Sequence, residues 1–548
     1  MIYSVPTCIS VTNLADISLH RVSDVKMSYI FVDTGQCGNQ LGCSILDSLY
    51  QHLQHDPSHV EAFFRTSNCK SETRRYARAV SIDTEPKVIN ECLQRVKDRK
   101  SWLFDSKSVV YRHGGAGNNW ALGYEMCSGE FLETAINCIR RELEMCDRPP
   151  SLLITHSVAG GTGSGCGTRI TEAAADEFSD VTRINIAITP YHFGEVVVQH
   201  FNSILCLAKI SAASHSVLTF ENEVAKQLCV EMKGIERPSI NDINSIIAAN
   251  IIPALLPKYP FISDEGDIDG HTRYSSPQGM FTTISDDVTE LCCHPGYRFL
   301  SVKNVPQTSE RSVEFTYDSW SSLVETLQRM CLKGTFSERG TGSMGEGQKI
   351  GGSLNIISST AKSTFSSSIV DSSVIAGSAS SKSGSRPFPC STLGYGSSSS
   401  YIRSVPDGYR SLRSLLILRG PDSSSGLNLL YDSRNSATGG GRRCEGGSHT
   451  PYSRNTVTIP ATTNVFYDDR ISSIHSSDHT VNGYQRSAVL LSNSQAVLPI
   501  LQRAASKGAE MYGVGAYVHQ YKKCGLEEED FVTAFRTVGQ IIENYRSI

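Results

Sequence analysis

The chain of 548 residues lacks several features that would narrow its class quickly. Its 17 cysteines contain no C-x-x-C pair, and the only close pair is Cys292–Cys293. That spacing does not suit a zinc module or a small disulfide scaffold, so reduced thiols packed as small hydrophobes in a cytosolic protein are expected. No apolar run approaches the ~18 residues of a membrane span. The first residues, MIYSVPTCISVTNLADISLHRVSDVK, lack the basic start and apolar block of a secretory signal. A formal net charge of -4 argues against a generally basic chain that coats nucleic acid.

A hydrophobic content of 39% supports a sizeable core, and the length allows several domains. SYIFV (28–32), ARAVSID (77–83), SLLITHSV (151–158) and INIAIT (184–189) read as buried strands. Leu132, Ala135, Ile136, Ile139 and Leu143 mark the apolar face of a helix. Such alternation over the first ~230 residues indicates an α/β fold with a parallel sheet. From about residue 335 Ser and Gly dominate, and residues 421–455 loosen again, so disordered insertions are expected at about 335–411 and 421–455. A phosphorylated regulatory segment is the sharper alternative for them. SLLILRG (414–420) and SAVLLSNSQ (487–495) read as order regained, with a helix over 527–545.

The loop VAGGTGSGCGTRI (158–170) sits between a strand and a helix. Its glycines let an anion approach the backbone, where successive N–H groups and a helix N-terminus converge. It is neither a Walker A loop nor G-x-G-x-x-G, and alone it suits a plain turn as well. GQCGNQLG (35–42) follows the first strand, and AGNNWALGY (116–124) adds side-chain amides. Loops at neighbouring strand ends of a parallel sheet converge, so the three together read as one nucleotide cradle.

GQCGNQLG, ARAVSIDTEP, GAGNNWALGY and THSVAGGTGSGCGT resemble the tubulins, in order and at tubulin-like separations, from about Met27 onward. Among tubulin classes the chain is most similar to delta-tubulin, through EPKVINECL, GEVVVQHFNSIL, SVKNVP, SLLILRG, AVLLSNSQ and HQYKKCGLEEEDF. The resemblance implies a Rossmann-type GTP-binding domain with core helix over 27–236 and an intermediate α/β domain over 237–493. C-terminal helices would follow over 494–548, without an acidic tail. Residues 1–26 would be an extension or a mis-assigned start.

The resemblance further implies bound GTP or GDP with Mg²⁺. Gln36, Cys37, Asn118, Gly160, Gly161, Thr162, Gly163 and Ser164 would hold the phosphates and neighbouring groups. Asp83 and Glu85 would lie near Mg²⁺, Glu85 through water. Glu195 takes the place of the family's ribose-binding Asp, and Gln199 that of a second acidic residue. Asn222 and Asn244 would read guanine, since an amide donates and accepts at once. Ile240 stands where tubulins usually stack a Tyr on the base.

Tubulin hydrolysis is completed in trans, and Asp286 aligns with the catalytic Glu; a helix-capping role for Asp286 and Asp287 fits the residues equally. TSERSVEFTYDSW (308–320) resembles the lateral-contact loop. The implied partners are other tubulins and centriole or basal-body microtubule components, in the cytoplasm and cytoskeleton. The alternatives are a lattice-forming or gamma-like tubulin, a relative that binds nucleotide without hydrolysing it, and a soluble GTP switch.

Overall fold

The computed structural model describes residues 28–54, 56–69, 72–193, 196–260, 262–263, 274–275, 281–308, 312, 319–338, 409–423 and 471–548. The N-terminal extension, Glu195, and most of the lateral-loop and Ser/Gly segments lie outside the described residues.

Among the described residues, one sheet of 11 strands organises the fold. In sequence order its strands are β1 (Tyr29–Thr34), β2 (Ala79–Asp83), β3 (Val109–Tyr111), β4 (Ser151–Ser157), β5 (Thr182–Thr189), β6 (Ser216–Glu221), β7 (Tyr259–Pro260), β8 (Phe299–Val305), β9 (Ser411–Arg419), β10 (Ile471–Ser477) and β11 (Ser487–Ser494). Across the sheet they run β3-β2-β1-β4-β5-β6-β8-β11-β9-β10-β7. The pairs from β3 to β8 are parallel, whereas β11 is antiparallel to both β8 and β9.

The helices used below are α1 (Gly35–Leu53), α2 (Pro86–Arg99), α3 (Trp120–Met126), α4 (Glu130–Glu144), α5 (Thr162–Glu177), α6 (Gln199–Ala213), α7 (Asn222–Lys233), α8 (Ile240–Leu255), α9 (Ile284–Leu291), α10 (Trp320–Leu332), α11 (Leu498–Gly513), α12 (Val518–Lys522) and α13 (Glu528–Arg546).

The parallel strands are apolar along their length because helices cover both faces. In β1, Tyr29 and Phe31 join a core with residues of α1 and α8, while Ile30 and Val32 pack with α4 and α5. The C-terminal helices α11 and α13 close a third core over α6, through Phe201, Tyr521 and Phe531. The expected α/β class is therefore what the chain adopts.

Two boundaries differ from the sequence reading. ARAVSID is not one strand, because Ala77 ends the second arm of an antiparallel hairpin (Phe64–Cys69 with Glu72–Ala77) and β2 begins at Ala79. Arg78 between them donates to Glu61 O and Met145 O. The Ser/Gly-rich segment expected at 335–411 has packed ends. Thr335 and Ser337 are buried, Gln307 and Glu338 bond reciprocally, and β9 starts at Ser411.

Candidate nucleotide site

The loops that follow β1, β3 and β4 meet beside the C-terminal end of β2. Helices α1 and α5 begin directly after β1 and the β4 loop, and neither has a side-chain N-cap or an acidic residue in its first turn. The first N–H groups of a helix need an external acceptor, and the dipole favours an anion there. The two N-termini are in close contact, since a Cβ on Gly35, which has φ +74, would lie 2.7 Å from Gly163 N. Gly161 is equally constrained, because a Cβ there would come within 2.7 Å of Ala116 O and 2.8 Å of Asn119 N. A Cβ on Gly160 would meet no atom of the described residues beyond its chain neighbours within 4 Å. Gly160 thus faces open space, as a phosphate-facing position requires, and so do Gly114 and Gly117 in the 114–119 loop.

The expected phosphate-binding residues are brought to this place. Gln36 is exposed and Cys37 half-buried in the first turn of α1. Asn118, exposed with φ 53, sits in the 114–119 loop. Thr162 opens α5, and its Oγ1 lies 2.6 Å from Thr84 Oγ1, so that hydroxyl ties the β4 loop to β2. Ser164 is buried, and its hydroxyl turns inward onto Gly160 O. Asn119 is engaged as the N-cap of α3, accepting from Ala121 N at 2.9 Å.

Asp83 ends β2 as a buried carboxylate that accepts from Thr84 N at 2.8 Å. Burial raises its pKa to about 6, against backbone donors at Thr84 and Glu85 that pull it down. Glu85 is exposed, and its Oε1 lies where a Cβ on Gly115 would fall. The pair presents carboxylate oxygen beside the cradle, which suits a hard cation such as Mg²⁺.

The base side is less complete. Asn244, on α8, is buried, and its Nδ2 has no hydrogen-bond partner among the described residues. A buried amide donor left unpaired is costly unless a ligand satisfies it. Asn222 opens the neighbouring helix α7 and is half-buried. Ile240 is 57% exposed at the start of α8, so an apolar side chain stands open where the resemblance places the base-stacking residue. Gln199 is buried and donates to Tyr191 O at 3.3 Å, which ties the start of α6 to the end of β5.

Asn202 was not singled out from the sequence, yet it joins the loops. Its side chain accepts from Trp120 N (2.9 Å) and Tyr521 Oη (2.6 Å), and donates to Asn118 O (2.8 Å) and Ala159 O (2.7 Å). A lone amide inside the apolar run FNSIL was the available signal.

Asp286 is far from this cradle. It is the exposed third residue of α9, where it forms a capping box with Thr283: Thr283 N donates to its Oδ2 (2.7 Å), and its own N–H donates to Thr283 Oγ1 (3.1 Å). The helix starts at Ile284, so Asp286 and Asp287 both lie inside its first turn and the N-cap is Thr283. Ser285 Oγ lies 2.6 Å from Thr182 Oγ1, at the N-terminal end of β5. Tyr29, at the N-terminal end of β1, hydrogen-bonds the Ile284 backbone. Asp286 thus stands at the opposite sheet edge from the cradle. Next to it Asp287 is buried against Lys258 Nζ at 2.7 Å. Burial pushes the Asp287 carboxyl up to about 6 and the Lys258 ammonium down.

No helix among the described residues is long and apolar enough to cross a membrane. Residues 28–230 match the model of the Tubulin/FtsZ family, GTPase domain. The chain is 30% identical to a tubulin delta chain of Canis lupus familiaris over 532 residues, covering 95% of this chain and 99% of that one. It is 29% identical to the tubulin delta chain of Homo sapiens, with 95% and 99% covered. A tubulin epsilon chain of Mus musculus matches at 33% identity over 213 residues, only 35% of this chain and 44% of its own. With a GTPase-domain match over the cradle and a similarity to delta chains along nearly their whole length, the chain belongs to the tubulin family of GTP-binding cytoskeletal proteins.

Proposed function

We propose that the chain is a delta-tubulin-like subunit that binds GTP and acts in assembling or maintaining the triplet microtubules of centrioles or basal bodies. Its partners are other tubulins and the microtubule components of those structures. In this reading Gln36, Cys37, Asn118 and the backbone of Gly160–Ser164 hold the phosphates. Asn222 and Asn244 read the guanine, Glu195 meets the ribose, and Glu85 holds Mg²⁺ through water beside Asp83.

Hydrolysis is completed in trans, with Asp286 of one subunit orienting water at the nucleotide of the next. The observation that carries this is the placement of cradle and Asp286 at opposite ends of the parallel strands. Strand β1 has 6 residues, and at ~3.3 Å per residue that separates the two ends by roughly 20 Å. A carboxylate cannot cross that distance within its own chain. Head-to-tail stacking of like subunits brings the opposite ends of neighbours together. The near-complete coverage of delta chains, against partial coverage of the epsilon chain, supports the class.

The capping box of Asp286 favours one second reading, a tubulin that binds nucleotide without cleaving it. The test of the main reading is the nucleotide content of purified protein together with the cellular position of the tagged chain. Guanine nucleotide near one per chain and signal at centrioles are expected. Nucleotide-free protein that cannot be loaded, or signal spread along cytoplasmic microtubules, would overturn it.

A further inference from the structure

Away from the cradle, two remote stretches bring three metal-binding side chains together. Asp56 caps the single helical turn Pro57–Val60 after α1, and His59 lies in that turn. His479 follows β10 by two residues. One ligand atom from each of the three lies within 4.8 Å of the other two. His59 Nδ1 is 2.5 Å from Asp56 Oδ2, and His479 Nε2 is 3.8 Å from the same oxygen. The imidazole rings stand 5.8 Å apart, at 76° to each other.

We propose that Asp56, His59 and His479 form a site for one transition-metal dication of the zinc class. Two imidazoles and one carboxylate suit zinc and its neighbours, whereas Mg²⁺ and Ca²⁺ prefer all-oxygen shells. Zinc bonds of about 2.0–2.1 Å in a tetrahedral site set ligand atoms roughly 3.3 Å apart. The distances of 2.5 and 3.8 Å bracket that edge, and the third pair of ligand atoms lies within 4.8 Å. At neutral pH an ordinary imidazole is mostly in the neutral form that binds metal. Metal binding at His59 Nδ1 uses the tautomer with its hydrogen on Nε2, so the hydrogen shifts from one ring nitrogen to the other through solvent as the metal takes its place beside Asp56. Three protein ligands leave a fourth position for water.

The site lies where the segment after β10 already meets the first helix. Asn482 N donates to His52 Nε2 at 3.1 Å, and Asn482 Nδ2 donates to Ala249 O at 3.0 Å. A metal there clips the β10–β11 connection to the end of α1, joining residues 420 positions apart in the chain. This inference does not depend on nucleotide binding or hydrolysis.

The test uses the full chain, stripped with chelator and kept in excess Mg²⁺ with guanine nucleotide. Zn²⁺ is titrated calorimetrically, and thermal unfolding is followed with and without it. We expect one saturable zinc site and a zinc-dependent rise in Tm. His479→Ala should weaken that site at least tenfold and abolish the rise. The His479 side chain is 50% exposed, so its removal leaves folding intact. His59→Gln, which keeps a polar side chain near Asp56, should weaken zinc binding similarly. Wild-type affinity and stoichiometry in His479→Ala, or no saturable zinc binding by the unaltered chain, would overturn the proposal.

Discussion

Replacing Asn202 with alanine removes the side chain that ties the 118–120 loop, the β4 loop and the C-terminal helices to one point. The substitution leaves Trp120 N and Tyr521 Oη without their acceptor, and Asn118 O and Ala159 O without their donor. Each buried group left unpaired costs ~1–3 kcal/mol, donors more than carbonyls, which tolerate under-use. Two orphaned donors and some entry of water give a loss of about 3–4 kcal/mol, near the top of the range for single substitutions. Tyr521→Phe removes one of the four bonds and should cost ~1 kcal/mol. Asn202→Asp keeps the acceptor but sets a carboxylate against two carbonyl oxygens beside the anion cradle. It should therefore weaken nucleotide binding more than it weakens the fold. Urea unfolding and titration with a fluorescent guanine nucleotide measure the two effects. If Asn202→Ala costs under 1 kcal/mol and binds nucleotide normally, the loops are not held through this residue.

Gly160→Ala should leave stability within ~0.5 kcal/mol, because among the described residues its Cβ meets nothing within 4 Å beyond its chain neighbours. It should lower nucleotide affinity at least tenfold, or about 1.4 kcal/mol, in the same titration. Gly161→Ala drives a methyl into Ala116 O and Asn119 N, so it should cost ~1–3 kcal/mol of stability as well as affinity. Asn244→Ala removes a donor that has no partner among the described residues, so the unfolding midpoint should hardly move while guanine affinity falls. Lys258→Met leaves Asp287 buried without its ion pair and should cost ~3–5 kcal/mol. Adding Asp287→Leu should recover most of that loss, and urea midpoints of the single and double variants decide it.

The convergence of the glycine loops was legible because close approach of backbone to backbone demands glycine, and glycine spacing survives in sequence as GQCGNQLG and AGGTGSG. The parallel strands were legible for a related reason: burial on both faces leaves unbroken apolar runs. What sequence concealed were relations between distant residues. Lys258 and Asp287 pair across the start of α9, and nothing in either neighbourhood names the other. Asn202 looks like an ordinary helix residue until its partners on three separate segments are known. The split of ARAVSID at Arg78 came from a hairpin ending against a parallel strand, which local apolarity does not record. TTISDD carried a capping signal, T-x-x-D, that is compatible with either role for Asp286. Only the strand ends placed that residue at the edge opposite the cradle.

The account rests most heavily on a nucleotide site that is completed by another subunit. The direct test is GTP turnover per molecule as a function of protein concentration, measured alone and with added tubulin subunits, beside Asp286→Asn. Asparagine keeps an oxygen that can accept from Thr283 N, so the helix cap survives while the charge is lost. The account predicts negligible turnover in dilute solution and a steep rise on assembly. Asp286→Asn should bind nucleotide normally yet stay flat when assembled alone. Turnover per molecule that does not change with dilution, or that is equal in Asp286→Asn under the same conditions, would contradict it.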